Sequence, residues 1–206
     1  MRNRNVRILT FTAIAAALSA VLMFFEFPLP FLPPFLKLDF STVPLLFLGY
    51  LYGPVPAIAA TLVKELVHLP FSFTGGVGQI ADFLISICLI LPSCLFYRSE
   101  LKGKFIWGSI GGVAGAMVAG MLANKFLLIP AYSVLIMPVD AIVSLCQSIN
   151  PAITSIDGYI VFGAAPFNLI KGLIIIILSV VLIKMLQKVF PMDKKGKKAQ
   201  TPASEQ

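Results

Sequence analysis

Long stretches of this chain hold almost nothing that water solvates well. Residues 8–27 are apolar apart from Thr10, Thr12, Ser19 and Glu26, and residues 105–128 and 166–186 are nearly as bare. Runs of about 20 such residues match the ~30 Å hydrocarbon core of a bilayer. Only 12% of the 206 residues are charged, against 58% hydrophobic, whereas a soluble domain carries roughly 25% charge. So few charges cannot cover a water-exposed globule, and so much hydrophobicity excludes a disordered chain. An integral membrane protein remains, with room for about five or six spans of ~20 residues. No soluble domain of ~100 residues fits beside them, so any nucleotide-hydrolysing module has to be another chain.

The formal charge of +7 is placed for a membrane rather than for nucleic acid. Twelve of the 16 Lys and Arg lie in three clusters beside apolar runs: Arg2, Arg4 and Arg7; Arg98, Lys102 and Lys104; and Lys184, Lys188, Lys194, Lys195, Lys197 and Lys198. Such clusters mark cytoplasmic segments, and the last one suits an anionic lipid surface. A nucleic-acid binder would instead present an extended basic face. The first apolar run is longer than a signal-peptide core and its alanines lie early, so it reads as a retained span.

Breaks at Pro, Gly and charge divide the chain into spans at about residues 7–27, 42–52, 55–71, 77–97, 105–128 and 166–186. Pro28, Pro30, Pro33 and Pro34 forbid regular helix between the first two, leaving an extended aromatic loop over residues 28–40. Asp39 or Ser41 is positioned to cap the second helix, which at about 17 Å is too short to cross alone. Residues 130–165 read as a long loop containing Cys146, and Pro166 suits the first turn of the last span. With six spans, all three basic clusters fall on one side. The predicted fold is therefore all-α: an integral membrane six-helix bundle with both termini cytoplasmic, a short second helix and a Pro-rich outer loop before it. Residues 1–189 form a single transmembrane domain, and residues 190–206 a basic, disordered cytoplasmic tail.

Polar groups at membrane depth are expensive, about 2.5–3.5 kcal/mol for a central Asp, Lys or Arg. In this topology Lys64, Glu65, His68, Asp82, Asn124, Lys125, Asn168 and Lys171 all fall in the outer half. Lys64, Glu65 and His68 read as a structural network with Asp82, and Lys125 as a side chain reaching for the interface. Asn168 and Lys171 share a helix face, and the ammonium calls either for a structural partner such as Asp157 or for a bound ligand. An Asn amide complements a cyclic imide edge and Lys adds a donor for a ring carbonyl. With Phe31, Phe35, Phe40, Phe71 and Phe73 around them, these groups suit a flat heteroaromatic ligand entering from outside.

Ala13/Ala17 and Ala16/Ala20 form two small-xxx-small pairs, and Gly108/Gly112 and Gly111/Gly115 two more; each serves either internal packing or docking to another membrane subunit. Cys88, Cys94 and Cys146 have no CxxC spacing, and a lone His68 makes no metal site. GxSxG, HExxH and GxxxxGK[ST] are absent, and no nucleophile–base pair stands out. Nothing here reads as an enzyme.

Four segments resemble the riboflavin-binding S component of energy-coupling factor transporters: Phe35-Leu-Lys-Leu-Asp-Phe-Ser41 after prolines, Thr74-Gly-Gly-Val-Gly78 before a span, Asn124 followed by Ile129-Pro130, and Pro166-Phe-Asn-Leu-Ile-Lys-Gly172. The resemblance runs from the first span to about Lys188. It implies a non-catalytic bacterial plasma-membrane subunit that binds riboflavin from outside and docks on a transmembrane coupling subunit with two ATPases. It assigns ligand contacts to Leu38, Asp39, Phe40, Ser41 and Thr42, to Thr74, Gly75 and Gly76, and to Asn124, Asn168 and Lys171. Ala13, Ala16, Ala17 and Ala20 become the docking face. Riboflavin is then cargo, and neither cofactor nor metal is implied. The sequence departs from the family at Gln79 and Asp82, where Glu and Asn are more usual. A different vitamin as cargo, or a structural membrane subunit without ligand, are the alternatives.

Overall fold

The computed structural model describes residues 2–189, a mostly helical chain. Its long helices are α1 (Arg2–Met23), α4 (Val77–Arg98), α5 (Lys104–Ala123) and α9 (Ala165–Val189), with α2 (Thr42–Tyr52) and α3 (Pro54–His68) among them. Among the described residues, four stretches are long and apolar enough to cross a membrane: Arg4–Met23, Val77–Arg98, Lys104–Leu135 and Ile156–Met185. The expected third span is shorter than its apolar run. α3 has 15 residues, about 23 Å, and ends in the 3₁₀ turn Leu69–Phe71, which contains Pro70. The first span also stops early, at Met23, leaving Glu26 and Phe27 in the following loop. The expected tail, residues 190–206, lies outside the described residues.

The short helix α2 begins and ends where the sequence predicts and occupies the centre, touching α1, α3, α4 and α9. It is apolar on all sides, as a helix enclosed by others must be: Leu45, Leu46 and Leu48 are buried against Ala57, Ala60, Ile90 and Ile175. Ser41 precedes it without a side-chain cap. Asp39 Oδ1 accepts instead from the Ser41 amide at 2.8 Å and from the Ser41 hydroxyl, an Asx turn that leads the loop into the helix. At its other end Gly53 has φ 102°, and a Cβ there would stand 2.9 Å from Arg98 Nη1. Glycine is required on both counts, and the α2–α3 turn shares an end with the basic linker.

The glycines of α5 are used inside the chain. A Cβ on Gly112 would meet Leu89 O at 2.7 Å, and one on Gly115 would meet Cys88 O at 2.8 Å. The α4 and α5 backbones therefore approach closely, the usual way helices gain packing where lipid supplies no hydrophobic drive.

Residues 130–165 depart from expectation: the segment is a helical cap rather than a loop. α5 runs through a π-helical turn, Asn124–Leu128, into α6 (Ile129–Leu135); α7 (Val139–Ile149) and α8 (Ile156–Tyr159) follow, and a second π turn, Ile160–Ala164, leads into α9. Pro166 lies in the first turn of α9, as expected, and the π turn joins that helix to α8 without a break. Cys146 is buried in α7, packed in a cluster with Ile142, Ile153 and Tyr159. The Pro-rich loop joins this cap. A two-residue antiparallel ribbon, β1 (Phe27–Pro28) with β2 (Lys37–Leu38), closes it, and an exposed Lys37–Glu26 ion pair of 2.5 Å spans the ribbon. Leu32, Leu36 and Leu38 reach into the cluster.

Gly112→Ala is expected to force α4 and α5 apart and cost about 1–3 kcal/mol, whereas Gly111→Ala, whose Cβ would sit 3.4 Å from Pro92, is tolerated. Thermal unfolding in detergent distinguishes them: a marked fall in Tm for the first and little change for the second.

Candidate ligand site

Charged side chains from four elements meet beneath the cap. Lys171 of α9 places Nζ 2.7 Å from Asp39 Oδ2, in the link between β2 and α2, and 3.1 Å from Asp82 Oδ1 of α4. The other oxygen of Asp82 lies 2.6 Å from Lys64 Nζ on α3. Lys64 also donates to Ser41 Oγ at 3.2 Å and stands 2.7 Å from Glu65 Oε1. That last approach is off the hydrogen-bonding direction, so both Glu65 oxygens are buried without a hydrogen bond. Acidic and basic side chains alternate along the line Asp39, Lys171, Asp82, Lys64, Glu65, and each ammonium has two carboxyl groups beside it.

Two expectations change here. Lys171 is not an isolated ammonium, and its partner is not Asp157, which pairs with Lys125 at 2.7 Å on the exposed surface. His68 also stands outside the network: Nε2 lies 2.7 Å from Ala20 O, and its ring packs 4.3 Å from that of Phe24. It ties α3 to α1.

The two asparagines meet on one glycine. Asn124 Nδ2 donates to Gly120 O at 2.8 Å, and the Asn168 amide lies flat against the Gly120 Cα, where any Cβ would overlap it. Asn168 Nδ2 in turn donates to Ala164 O at 2.8 Å. Both amides are buried, and Lys171 follows Asn168 on the same face of α9. Asn168 and Lys171 line a cavity with Thr42, Ser86 and Ala116, in which the Thr42 and Ser86 hydroxyls are 3.3 Å apart. The cavity measures about 10 Å³, room for roughly one water.

The remaining expected contacts divide. Leu38 is buried in the cap, and half-buried Phe40 packs its ring 6.1 Å from that of Phe27, on the loop above Thr42. Thr74, Gly75 and Gly76 form a turn bonded within itself: Ser72 Oγ accepts from the Gly76 amide and Thr74 Oγ1 from the Gly78 amide, both at 2.9 Å. Successive positive φ values at Gly75 and Gly76 require glycine. This turn reaches the cluster only through α4, which it starts. The expected aromatic wall is mostly elsewhere. Phe73 is 89% exposed, Phe31 is exposed, and Phe71 packs on Phe24 at the α1–α3 side, leaving Phe35 and Phe40 near the site.

Sequence reasoning missed Ser86, Gly120 and Tyr159. Gly120 carried a signal, lying one turn before Asn124 in a small-residue run; Tyr159 carried none, because residues 130–165 read as loop. On α1, Ala16 and Ala20 are buried while Ala13 and Ala17 are exposed, and all four line a groove between α1 and α3 with Val63 and Val67.

Asp82→Ala leaves Lys64 and Lys171 under-compensated, and breaking such a buried pair costs about 3–5 kcal/mol. Lys125→Ala removes an exposed pair worth about 0–1 kcal/mol. A large loss of Tm in detergent for the first and a small one for the second is expected; equal effects would contradict the buried chain.

Comparison with known proteins identifies the family. Residues 7–183 match the family described as ECF transporter, substrate-specific component. The riboflavin transporter RibU of Staphylococcus aureus (strain TCH60) is 34% identical over 183 residues, 89% of this chain and 91% of that protein. The riboflavin transporter FmnP of Bacillus subtilis (strain 168) is 30% identical over 189 residues, 88% of this chain and 93% of that one. A solved S component of a bacterial ECF transporter superposes with a TM-score of 0.71 at 31% identity, covering 90% of this chain and 98% of the other. The family is one of substrate-binding membrane subunits rather than enzymes. A membrane-embedded cluster of amides and ion pairs beneath a helical cap is thus found in a chain that belongs to the substrate-specific S components of ECF transporters.

Proposed function

We propose that this subunit captures riboflavin from outside a bacterial plasma membrane and delivers it to an ATP-driven import complex. One observation carries the reading: two buried amides gathered on Gly120 beside the Lys171 ammonium, in a chain whose near full-length relatives are named riboflavin transporters. The isoalloxazine ring presents an imide N–H between two carbonyls. Each carboxamide matches that edge with one donor and one acceptor, and Lys171 suits a ring carbonyl or nitrogen. Leu38, Asp39, Phe40, Ser41 and Thr42 lie over the site, and the Thr74–Gly76 turn acts on it through α4, completing the contact with the ligand as the loop closes.

A ring of this size exceeds the cavity of about 10 Å³, so capture requires the loop above Thr42 to move and Lys171 to exchange part of its contact with Asp39 for the ligand. The bundle crosses six times with α2 and α3 as short inner passes, both termini and the Arg98–Lys104 linker in the cytoplasm and the cap outside. The run of α1, α4 and α9, each with its basic end away from the cap, supports this orientation under the positive-inside rule. Ala13 and Ala17, with Ala16 and Ala20 as the groove floor, form the docking face for a transmembrane coupling subunit, and ATP is hydrolysed by two partner subunits.

Purified protein is expected to be yellow and to release a flavin spectrum on denaturation. Another vitamin as cargo, or a ligand-free structural role, predicts no flavin absorbance. Asn168→Ala is expected to weaken riboflavin binding at least about tenfold, since a lost buried contact is worth about 1–3 kcal/mol, as is Lys171→Met. Flavin fluorescence titration reads both, and unchanged affinity in both would refute the site.

A further inference from the structure

Tyr159 closes α8, and its hydroxyl lies 2.5 Å from Asn124 Oδ1. The side chain is among the largest fully buried ones in the described residues, 1% exposed. Its ring is seated from two sides. Phe35 of the Pro-rich loop packs against it edge-on at 5.5 Å, and Gly163 leaves the space it needs, since a Cβ there would stand 2.9 Å from Tyr159 Cδ2.

The polarity of this contact is determined. Gly120 O only accepts, so the Asn124 nitrogen must face it. The amide oxygen then faces Tyr159, and the phenol must donate. Without that bond the Asn124 side chain is held at its nitrogen alone and can swing about it. With it, both ends of the amide plane are tied to the protein, while one N–H and one oxygen lone pair stay uncommitted.

We propose that Tyr159 is a positioning residue of the ligand site: its hydroxyl locks the Asn124 amide so that the amide's remaining donor and acceptor present a fixed edge to the ligand's imide. The inference rests on the flavin reading above and extends it to a residue outside the contact set. Orientation of an amide that reads a donor–acceptor edge affects discrimination, not only affinity, because a swinging amide meets altered edges nearly as well as the correct one.

The test uses the full chain in detergent, titrated with riboflavin and with riboflavin methylated on the imide nitrogen, which removes the donor at that edge. Tyr159→Phe is expected to weaken riboflavin binding roughly tenfold, to weaken binding of the methylated flavin much less, and so to shrink the ratio between the two. In an Asn124→Ala background the same substitution is expected to have no further effect. Equal losses for both flavins, or additive losses in the double variant, would assign Tyr159 a merely structural role and overturn the proposal. If Tyr159→Phe is not recovered folded, Gly163→Ala, which displaces the ring from its seat, is read by the same ratio; an unchanged ratio again overturns it. Wild-type protein that binds no riboflavin would sink the flavin reading itself, whereas wild-type binding with an unaltered ratio in the variants sinks only the role of Tyr159.

Discussion

Asp82 holds two ammonium groups apart and together, with one oxygen toward Lys64 and the other toward Lys171. An ionised side chain inside a bilayer costs kilocalories unless its charge is met, and here each charge is met by its neighbours along one line. The line starts on the Asp39 link, crosses α9 and α4, and ends on α3, so elements far apart in sequence are fixed in one register. Buried ion pairs are weak sources of net stability and strong constraints on arrangement. Sliding α9 one turn past α4 would part Lys171 from both its carboxylates and leave a buried charge unpaired, which disfavours that packing strongly. The apolar side chains around α2 fill space that this line has already defined.

The second constraint comes from two prolines. Pro130 and Pro166 lack an N–H and crowd the carbonyl four residues back, and each is preceded by a π-helical turn that widens the helix: Asn124–Leu128 in one case and Ile160–Ala164 in the other. Widened turns leave carbonyls and side chains in positions a regular helix does not offer. Asn124 opens the first turn, and Asn168 bonds the last carbonyl of the second. The two amides therefore come from helices that each carry a widened turn beside a proline, one bonded to Gly120 O and the other packed on Gly120 Cα. Rigid helical supports hold such groups more exactly than loops do.

Much of this was legible in the sequence, for physical reasons that also explain what was not. Thr42–Tyr52 was bounded correctly because Ser41 and Gly53-Pro54 punctuate a wholly apolar run. Asn124, Asn168 and Lys171 stood out because lipid penalises them wherever they point. Their partners were invisible: Asp39 lies 132 residues from Lys171 along the chain, and no local pattern encodes that distance. The cap reads as loop in the sequence because α6, α7 and α8 are short and are flanked or interrupted by prolines and by Asn-Pro or Asp-Gly pairs, which locally signal turns. The aromatic wall failed differently. Phe31, Phe71 and Phe73 flank the site in sequence, yet residues at a membrane interface face lipid as readily as they face a ligand.

Asp39 has two tasks that bear on how a ligand is received. One oxygen builds the Asx turn that delivers the loop to α2; the other compensates Lys171. A neutral ligand carbonyl that approaches Lys171 competes with a carboxylate, a stronger partner for an ammonium. It prevails only where Asp82 keeps part of the charge balanced and where the ligand's many other contacts outweigh what Asp39 gives up. Under the proposed function, a ligand that drew Lys171 away would leave Asp39 tied through its other oxygen to the Ser41 turn below the loop. Asp39 thus joins the charge line that fixes the bundle to the loop that enters α2, and any change at Lys171 bears on both through that one side chain.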